Sequence, residues 1–448
     1  MNLRGSTYFA YANWRGFDFP ALYEKLLPGF DRQSGAAVVR SRLHSLLAHC
    51  RVNVPYYADY LADLPNLDDP ATDPLAVLSR LPILTKPLIR NHFDRMLSAD
   101  LPRRKWHYNT SGGSTGEPVR FVQDRVAYDW STALRFLTKN LWGCAPGELE
   151  LRLWGSERDV LEGTDGWRRR LFQSWTNVHY LNAFRMTPER MREVVTWMNS
   201  NSPKLIVAYA QAAYELAGFI QREGLTVRPQ HALVTSAGTL YPFMRETMAR
   251  VFGCPVYNQY GSREVSDIAV EVPGISGLWV PPWSVYVEVV DDQDMPVPFG
   301  SSGSLVVTCL KNYAMPLIRY RIGDIGSLWL ADTPFANQAG QVLQSVQGRS
   351  VDAFRTRNGT VIDGEYFTHL MYFRPWVARF QVVQEALDRV VYRVVASASA
   401  PPTAELDEII AKTRLVLGSA CVVQFEFVPA LPDPDGGKFR YTLSRVMV

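Results

Sequence analysis

"KLIVAYAQAAYELAGFIQREG", residues 204–224, sets an apolar run of strand length directly before a helical pattern, and the same order returns downstream. "HALVTSAG" (231–238) leads into "PFMRETMARVFG" (242–253), and "PVYNQYG" (255–261) ends in a polar loop. This rhythm is the signature of a parallel sheet with crossover helices. Each apolar run stops at small or polar residues, and in open parallel sheets ligands sit outside the carboxyl ends of the strands. Ala237, Gly238 and Tyr260 therefore stand where a ligand is expected.

On the amino side, residues 20–100 read as helical and Pro-punctuated, with Arg40 to Asp63 broken at Pro55. "DRVAYDWSTALRFLTKNLWG" (124–143) reads as a long helix and "LELRLWGSE" (149–157) as a short strand with a turn. On the carboxyl side, from Pro281 onward, hairpin patterns with Gly, Pro and Asp turns indicate an antiparallel, barrel-like sheet. After Gly348 the pattern becomes strands "RFQVVQEA" and "RVVYRVVAS", a helix "TAELDEIIAKTRLVLG" and a last strand "CVVQFEFV". In that helix Leu406, Ile409, Ile410, Val416 and Leu417 share one face. The expectation is an α/β protein. A large N-terminal domain, 1–348, combines parallel αβ layers with the antiparallel sheet, and a small mobile C-terminal α/β domain, 349–448, follows.

The chain has 448 residues, 47% hydrophobic and 20% charged, with a net charge of +3 and no block of like charge. That supports large cores in two or more domains and implies no extended nucleic-acid footprint. Cys50, Cys144, Cys254, Cys309 and Cys421 lie far apart, which argues against a disulfide framework or a zinc ribbon and for buried thiols in a reducing cytoplasm. No secretory signal is legible at the N-terminus. The most apolar long stretch is interrupted by Gln211 and Glu215, which does not suit a bilayer span. A cytoplasmic protein acting on small molecules is expected.

"TSGGSTGEP" (110–118) admits three readings. It satisfies the G-x-S-x-G pattern of a nucleophile elbow, but the preceding "RRKWHYNT" is too polar for a central parallel strand. A Walker A loop fails because Glu117 stands where lysine is required. The third reading takes glycine hinges, backbone amides and hydroxyls as a cradle for polyphosphate; a plain solvated loop is the alternative.

The other polar stretches decide among these. In order they are "TSGGSTGEP", "TSAGTL", "NQYGSREV", "YRIGDIG", "QGRSVDAF" and "GGKFR", and with them the chain resembles the adenylate-forming superfamily, most closely the phenylacetate-CoA ligase branch and its CapK-like relatives, from about residue 40 to the end. The resemblance implies an ATP-dependent carboxylate-activating enzyme that forms acyl-AMP and pyrophosphate and passes the acyl group to a thiol, coenzyme A first among the candidates. An amine acceptor and a catalytically degenerate binding homologue stay open, as does a homodimer.

By the same resemblance Ser111, Gly112, Ser114, Thr115 and Gly116 match the phosphate loop. Tyr260, beside Gly261, matches the aromatic residue that stacks on adenine, and Glu264 the carboxylate that helps to hold Mg²⁺. Asp324 matches the acceptor for the ribose hydroxyls, a role for an acceptor-only side chain. Arg349 matches the arginine at the domain junction that faces the ribose. Ala237 and Gly238 match the segment along the adenine and acyl pocket, and Lys438 the lysine that bridges carboxylate and phosphate oxygens during adenylation. Trp154 and Tyr209 make an aromatic acid the favoured substrate. Three departures stand out: Glu117 where many relatives carry lysine, Val351 at the hinge position, and neither Cys nor His after "YG", so no structural zinc is expected there.

Overall fold

The computed structural model describes residues 1–27, 35–65, 69, 72–110, 119–154, 167–183, 186–329, 340–347, 352, 354–362, 364–371, 374, 376–397, 401–431 and 440–446. Helices Gly35–Asn53 and Pro55–Leu61 form the entry layer and break at Pro55, which occupies the first turn of the second helix, where its missing N–H costs nothing. β1 (Trp106–Thr110) and β2 (Arg120–Asp124) pair antiparallel, Thr110 opposite Arg120, so residues 111–119 join the two arms of a hairpin. A nucleophile elbow needs a strand-to-helix turn in a parallel sheet. The described strands on either side of the glycine-rich stretch are antiparallel partners, which does not favour that reading. After β2 the side chain of Asp124 caps the long helix Arg125–Leu141 by accepting from the Ala127 N–H.

The parallel rhythm is present as read. β3 (Glu150–Leu153), β4 (Val178–Leu181), β5 (Leu205–Tyr209), β6 (Leu233–Ser236) and β7 (Val256–Ser262) lie parallel in the order β7-β6-β5-β3-β4. β7 also pairs antiparallel with β8 (Ser266–Val270), and the sheet continues through β9 (Leu278–Trp279), β10 (Val285–Val290), β11 (Gly303–Cys309), β12 (Tyr320–Leu328) and β13 (Val342–Gln347). Among the described residues these strands form one sheet of eleven, ordered β10-β11-β12-β13-β9-β8-β7-β6-β5-β3-β4.

The antiparallel half curls. β12 lies four steps from β7 in the hydrogen-bonding order. At about 4.8 Å per step a flat sheet would hold them roughly 19 Å apart. Instead the Tyr260 hydroxyl on β7 reaches Asp324 on β12 at 2.7 Å, which requires β12 to fold back over β7. The inward faces of β8 to β13 fill that curve with Ile268, Val287, Leu305, Val307 and Leu343, each essentially inaccessible, packed on the entry helices through Leu43, Leu46 and Leu47.

Beyond residue 353, β14 (Phe354–Arg355) and β15 (Val361–Ile362) form a small ribbon. β16 (Val377–Ala386), β17 (Arg389–Ala396), β18 (Val422–Phe427) and β19 (Thr442–Ser444) form a separate four-stranded sheet, ordered β18-β17-β16-β19. Its helix Thr403–Leu417 buries Ile409, Val416 and Leu417 as the periodicity implies, together with Thr413. The Tyr392 and Thr413 hydroxyls lie 2.5 Å apart, which satisfies both polar groups inside the core. Apolar packing is continuous from helices Pro188–Asn201 and Ala210–Arg222 into Phe354, Phe367 and Trp376. Arg355 also forms a salt bridge with Glu215, whose other oxygen accepts from Gln211 at 2.9 Å. No helix among the described residues is long and apolar enough to cross a membrane.

Candidate active site

Three strand ends and one bulge build the site. β5 stops at Tyr209 and a helix starts at once at Ala210; β3 stops just before Trp154, and the Trp154 and Tyr209 rings lie 4.3 Å apart at an interplanar angle of 32°. This pair makes an aromatic wall at the carboxyl edge of the parallel strands. β6 stops at Ser236, and Ala237 follows with φ of 58°. A left-handed alanine is uncommon and costs free energy, and such residues concentrate at ligand clamps. A Cβ added to Gly238 would meet only the Ala210 Cβ at 3.6 Å, an ordinary contact. Packing within the protein therefore does not require glycine there, whereas close approach of a ligand to the backbone would.

Gly261 differs. A Cβ there would come within 2.7 Å of the Ser266 carbonyl oxygen across the β7–β8 pair, next to a register shift between Tyr260 and Gly261. Its lack of a side chain is a demand of the hairpin.

Tyr260 donates from its hydroxyl to Oδ2 of Asp324. Asp324 stands in a bulge: the β11–β12 register shifts between Ser304 and Val306, and Gly323 just before it has φ of 91°. Bulges re-aim side chains next to sites, and this one turns a mid-strand carboxylate toward the aromatic residue of β7. Glu264 lies in the β7–β8 turn and is buried; its Oε1 accepts from the Tyr320 hydroxyl at 3.1 Å. Tyr320 is fully buried, and its place between Arg319 and Arg321 in the sequence gives no sign of this hold on Glu264. Glu264 is thus a buried carboxylate with one oxygen oriented by a hydroxyl, a group whose chemistry fits a magnesium ligand.

The glycine-rich stretch, with Ser111, Gly112, Ser114, Thr115 and Gly116, lies outside the described residues, as do Arg349, Val351 and Lys438. The arms of its hairpin are described. Gln123 on β2 donates through Nε2 to the Arg263 carbonyl at 3.1 Å, and Asn312 donates to the Val122 carbonyl at 2.7 Å. The hairpin is thereby tied to the turn that carries Glu264. Tyr260, Glu264 and Asp324 are thus brought together, with Ala237 and Gly238 at the neighbouring strand end. Beyond Gly238 the rings of Tyr241 and Phe243 stack at 5.6 Å, and Phe243 meets Tyr214 edge-on.

The chain as a whole is similar to known proteins. Residues 354–445 match the CapK C-terminal domain. The chain is 24% identical to protein CapK of Staphylococcus aureus over 380 residues, 83% of this chain and 81% of that one. It is 26% identical over 401 residues to a phenylacetate-coenzyme A ligase of Thermus thermophilus, 84% of each chain. Among solved structures, 2-hydroxyisobutyryl-CoA ligase in complex with 2-HIB-AMP and CoA in the thioesterification state superimposes with a TM-score of 0.56 at 18% identity, covering 93% of this chain and 92% of that one. The fold is that of the adenylate-forming enzymes. Within them, the resemblance to the phenylacetate-CoA ligase and CapK-like branch stands.

Proposed function

We propose that this protein activates a carboxylic acid with ATP and passes the acyl group to the thiol of coenzyme A. The observation that supports this reading best is the Tyr260–Asp324 hydrogen bond, by which a ring that would stack on adenine lies beside a carboxylate that would accept from the ribose. Support also comes from the relatives, which include CoA ligases.

In the first half-reaction an oxygen of the substrate carboxylate attacks the α-phosphorus of ATP, the bond to the β-phosphate oxygen breaks, and pyrophosphate leaves. The carboxylate is already ionised, so no general base is needed; the task is positioning and neutralising charge. Ser111, Gly112, Ser114, Thr115 and Gly116 would hold the leaving phosphates. Glu264 would hold Mg²⁺, which supplies neutralisation of the phosphate oxygens when bound. Arg349 would face the ribose, and Lys438 would bridge the acid and phosphate oxygens.

In the second half-reaction the CoA sulfur attacks the acyl carbon and AMP departs. Residues 1–348 and 349–448 act as two domains in this reading, the smaller turning between half-reactions to withdraw Lys438. Trp154 and Tyr209 favour an aromatic acid.

Hydroxylamine trapping of acyl-adenylate across a panel of aromatic and aliphatic acids, with ATP and Mg²⁺, tests the class. Lys438→Ala is expected to reduce trapping about 10²–10³-fold, the usual cost of losing one group that stabilises transition-state charge. Inactivity with every acid, or full trapping in the variant, would overturn the reading or its mechanism respectively.

A further inference from the structure

A cavity of about 160 Å³ opens at the amino end of β3, opposite the candidate active site, between helices Leu3–Trp14, Arg125–Leu141 and Trp167–Thr176. Its floor is charged. Glu150, the first residue of β3, is buried, and each of its oxygens is claimed by a different cation, Lys139 on one and Arg152 on the other. Arg152 also donates to the Tyr180 hydroxyl at 3.0 Å. At the rim, exposed Arg4 donates through Nη1 to the Ser174 carbonyl at 2.9 Å and to Asn177 Oδ1 at 2.7 Å.

The lining therefore carries three cations, Arg4, Lys139 and Arg152, against two carboxylates, Glu148 and Glu150. Oε2 of Glu148 already accepts from the Ala145 N–H at 2.7 Å. Burial pushes the Lys139 ammonium below its ordinary value despite the neighbouring Glu150. Two cations on a single buried carboxylate leave positive charge that an incoming anion would neutralise. The other walls include the rings of Tyr8, Phe136 and Phe172, together with Pro146 and Val178. An apolar cavity of about 150 Å³ is known to accept a benzene ring, so this one is sized for a single ring, with the cations placed for a head group.

We infer that the cavity at the amino end of β3 is a binding site for a small anion with an aromatic body, a carboxylate or a phosphate ester, separate from the candidate active site. β3 joins the two places: Glu150 begins it, and Trp154 follows its last residue. An occupant would press on the strand whose far end sets the aromatic wall of the acid pocket. The inference does not depend on the proposed reaction.

Calorimetric titration of the full chain with phenyl phosphate and with benzoate, without nucleotide, tests it; Ala145→Leu fills the cavity without removing a charge, and Arg4→Gln removes the rim cation. Wild-type protein is expected to bind at least one probe, with affinity at least tenfold weaker in both variants while their unliganded melting temperatures stay near that of the wild type. Inorganic phosphate is expected to bind at least tenfold more weakly than phenyl phosphate. Failure of the wild type to bind either probe, or binding undiminished in both variants, would overturn the site, and equal affinity for inorganic phosphate would overturn its aromatic part. Benzoate held at the active site would survive both substitutions, so the two sites are told apart.

Discussion

The Tyr260 hydroxyl and Asp324 Oδ2 are 2.7 Å apart although their strands are four steps removed in the sheet. The contact is a product of curvature, and it fixes the orientation of the carboxylate that would meet the ribose in the proposed function. Tyr260→Phe keeps the ring and removes the hydrogen bond, so kcat/KM for ATP should fall about fivefold, the worth of roughly 1 kcal/mol. Asp324→Ala removes a charged acceptor and should cost about 10–100-fold. Pyrophosphate release at varied ATP measures both, and equal effects of the two changes would contradict the assigned roles.

Gly238 and Gly261 should separate binding from folding. Alanine at 261 would strike a carbonyl oxygen at 2.7 Å, an overpacking expected to cost about 1–3 kcal/mol of stability. Alanine at 238 meets only an ordinary contact, so thermal unfolding should stay near that of the wild type while the KM for acid or ATP rises. A lowered melting temperature for Gly238→Ala would refute the ligand-side reading.

Acid stability should depend on Glu150. Burial alone would raise its pKa, but the charges of Lys139 and Arg152, with their hydrogen bonds, hold it at about 2 against an ordinary 4.5. Because the folded-state value is depressed, its contribution is complete above 4.5 and is lost as pH falls through about 2. Glu150→Gln breaks an ion cluster around a buried carboxylate and leaves two partly buried cations facing an amide, which should destabilise by about 3 kcal/mol at neutral pH. Denaturant unfolding at pH 7 and at pH 3 should show a shallower acid loss in the variant than in the wild type.

Glu215→Gln should loosen the strands that follow residue 353. The change leaves the mostly buried Arg355 guanidinium without its counter-charge and should cost about 3 kcal/mol or more. Hydrogen exchange over β14, β15 and β16 is expected to quicken, whereas exchange in β10 and β11 should not change.

The thiols should be silent in the native protein. All five cysteines are free and buried, and burial raises Cys144 and Cys254 to about 12. The reactive thiolate is therefore scarce at neutral pH. A chromogenic disulfide reagent should titrate none at pH 8 in the native protein and five after denaturation. Rapid reaction of the native protein would show that opening is frequent.

Much of the architecture was legible in "KLIVAYA" and "HALVTSAG" because a buried parallel strand must be apolar throughout and must end where the chain turns. Local pattern carries that information. Asp324 could be named from its motif, but its meeting with Tyr260 could not be derived, since it depends on how far four intervening strand pairings bend. Tyr320 was hidden for a different reason: flanked by Arg319 and Arg321 it carries no local sign of burial, yet it is core, and its hydroxyl serves Glu264. The left-handed backbone of Ala237 leaves no trace in composition. Arg355 and Glu215, separated by 140 positions, gave no sign of pairing.

β7 is at once the last parallel strand and the first antiparallel one. Trp154 and Tyr209, which would select the acid, lie at strands to one flank of it, and Tyr260 and Asp324, which would recognise base and sugar, lie on β7 itself and on the opposite flank. If those roles hold, the acid side could be reshaped by editing one flank, while base and sugar would be read by a part of the sheet that need not change in step.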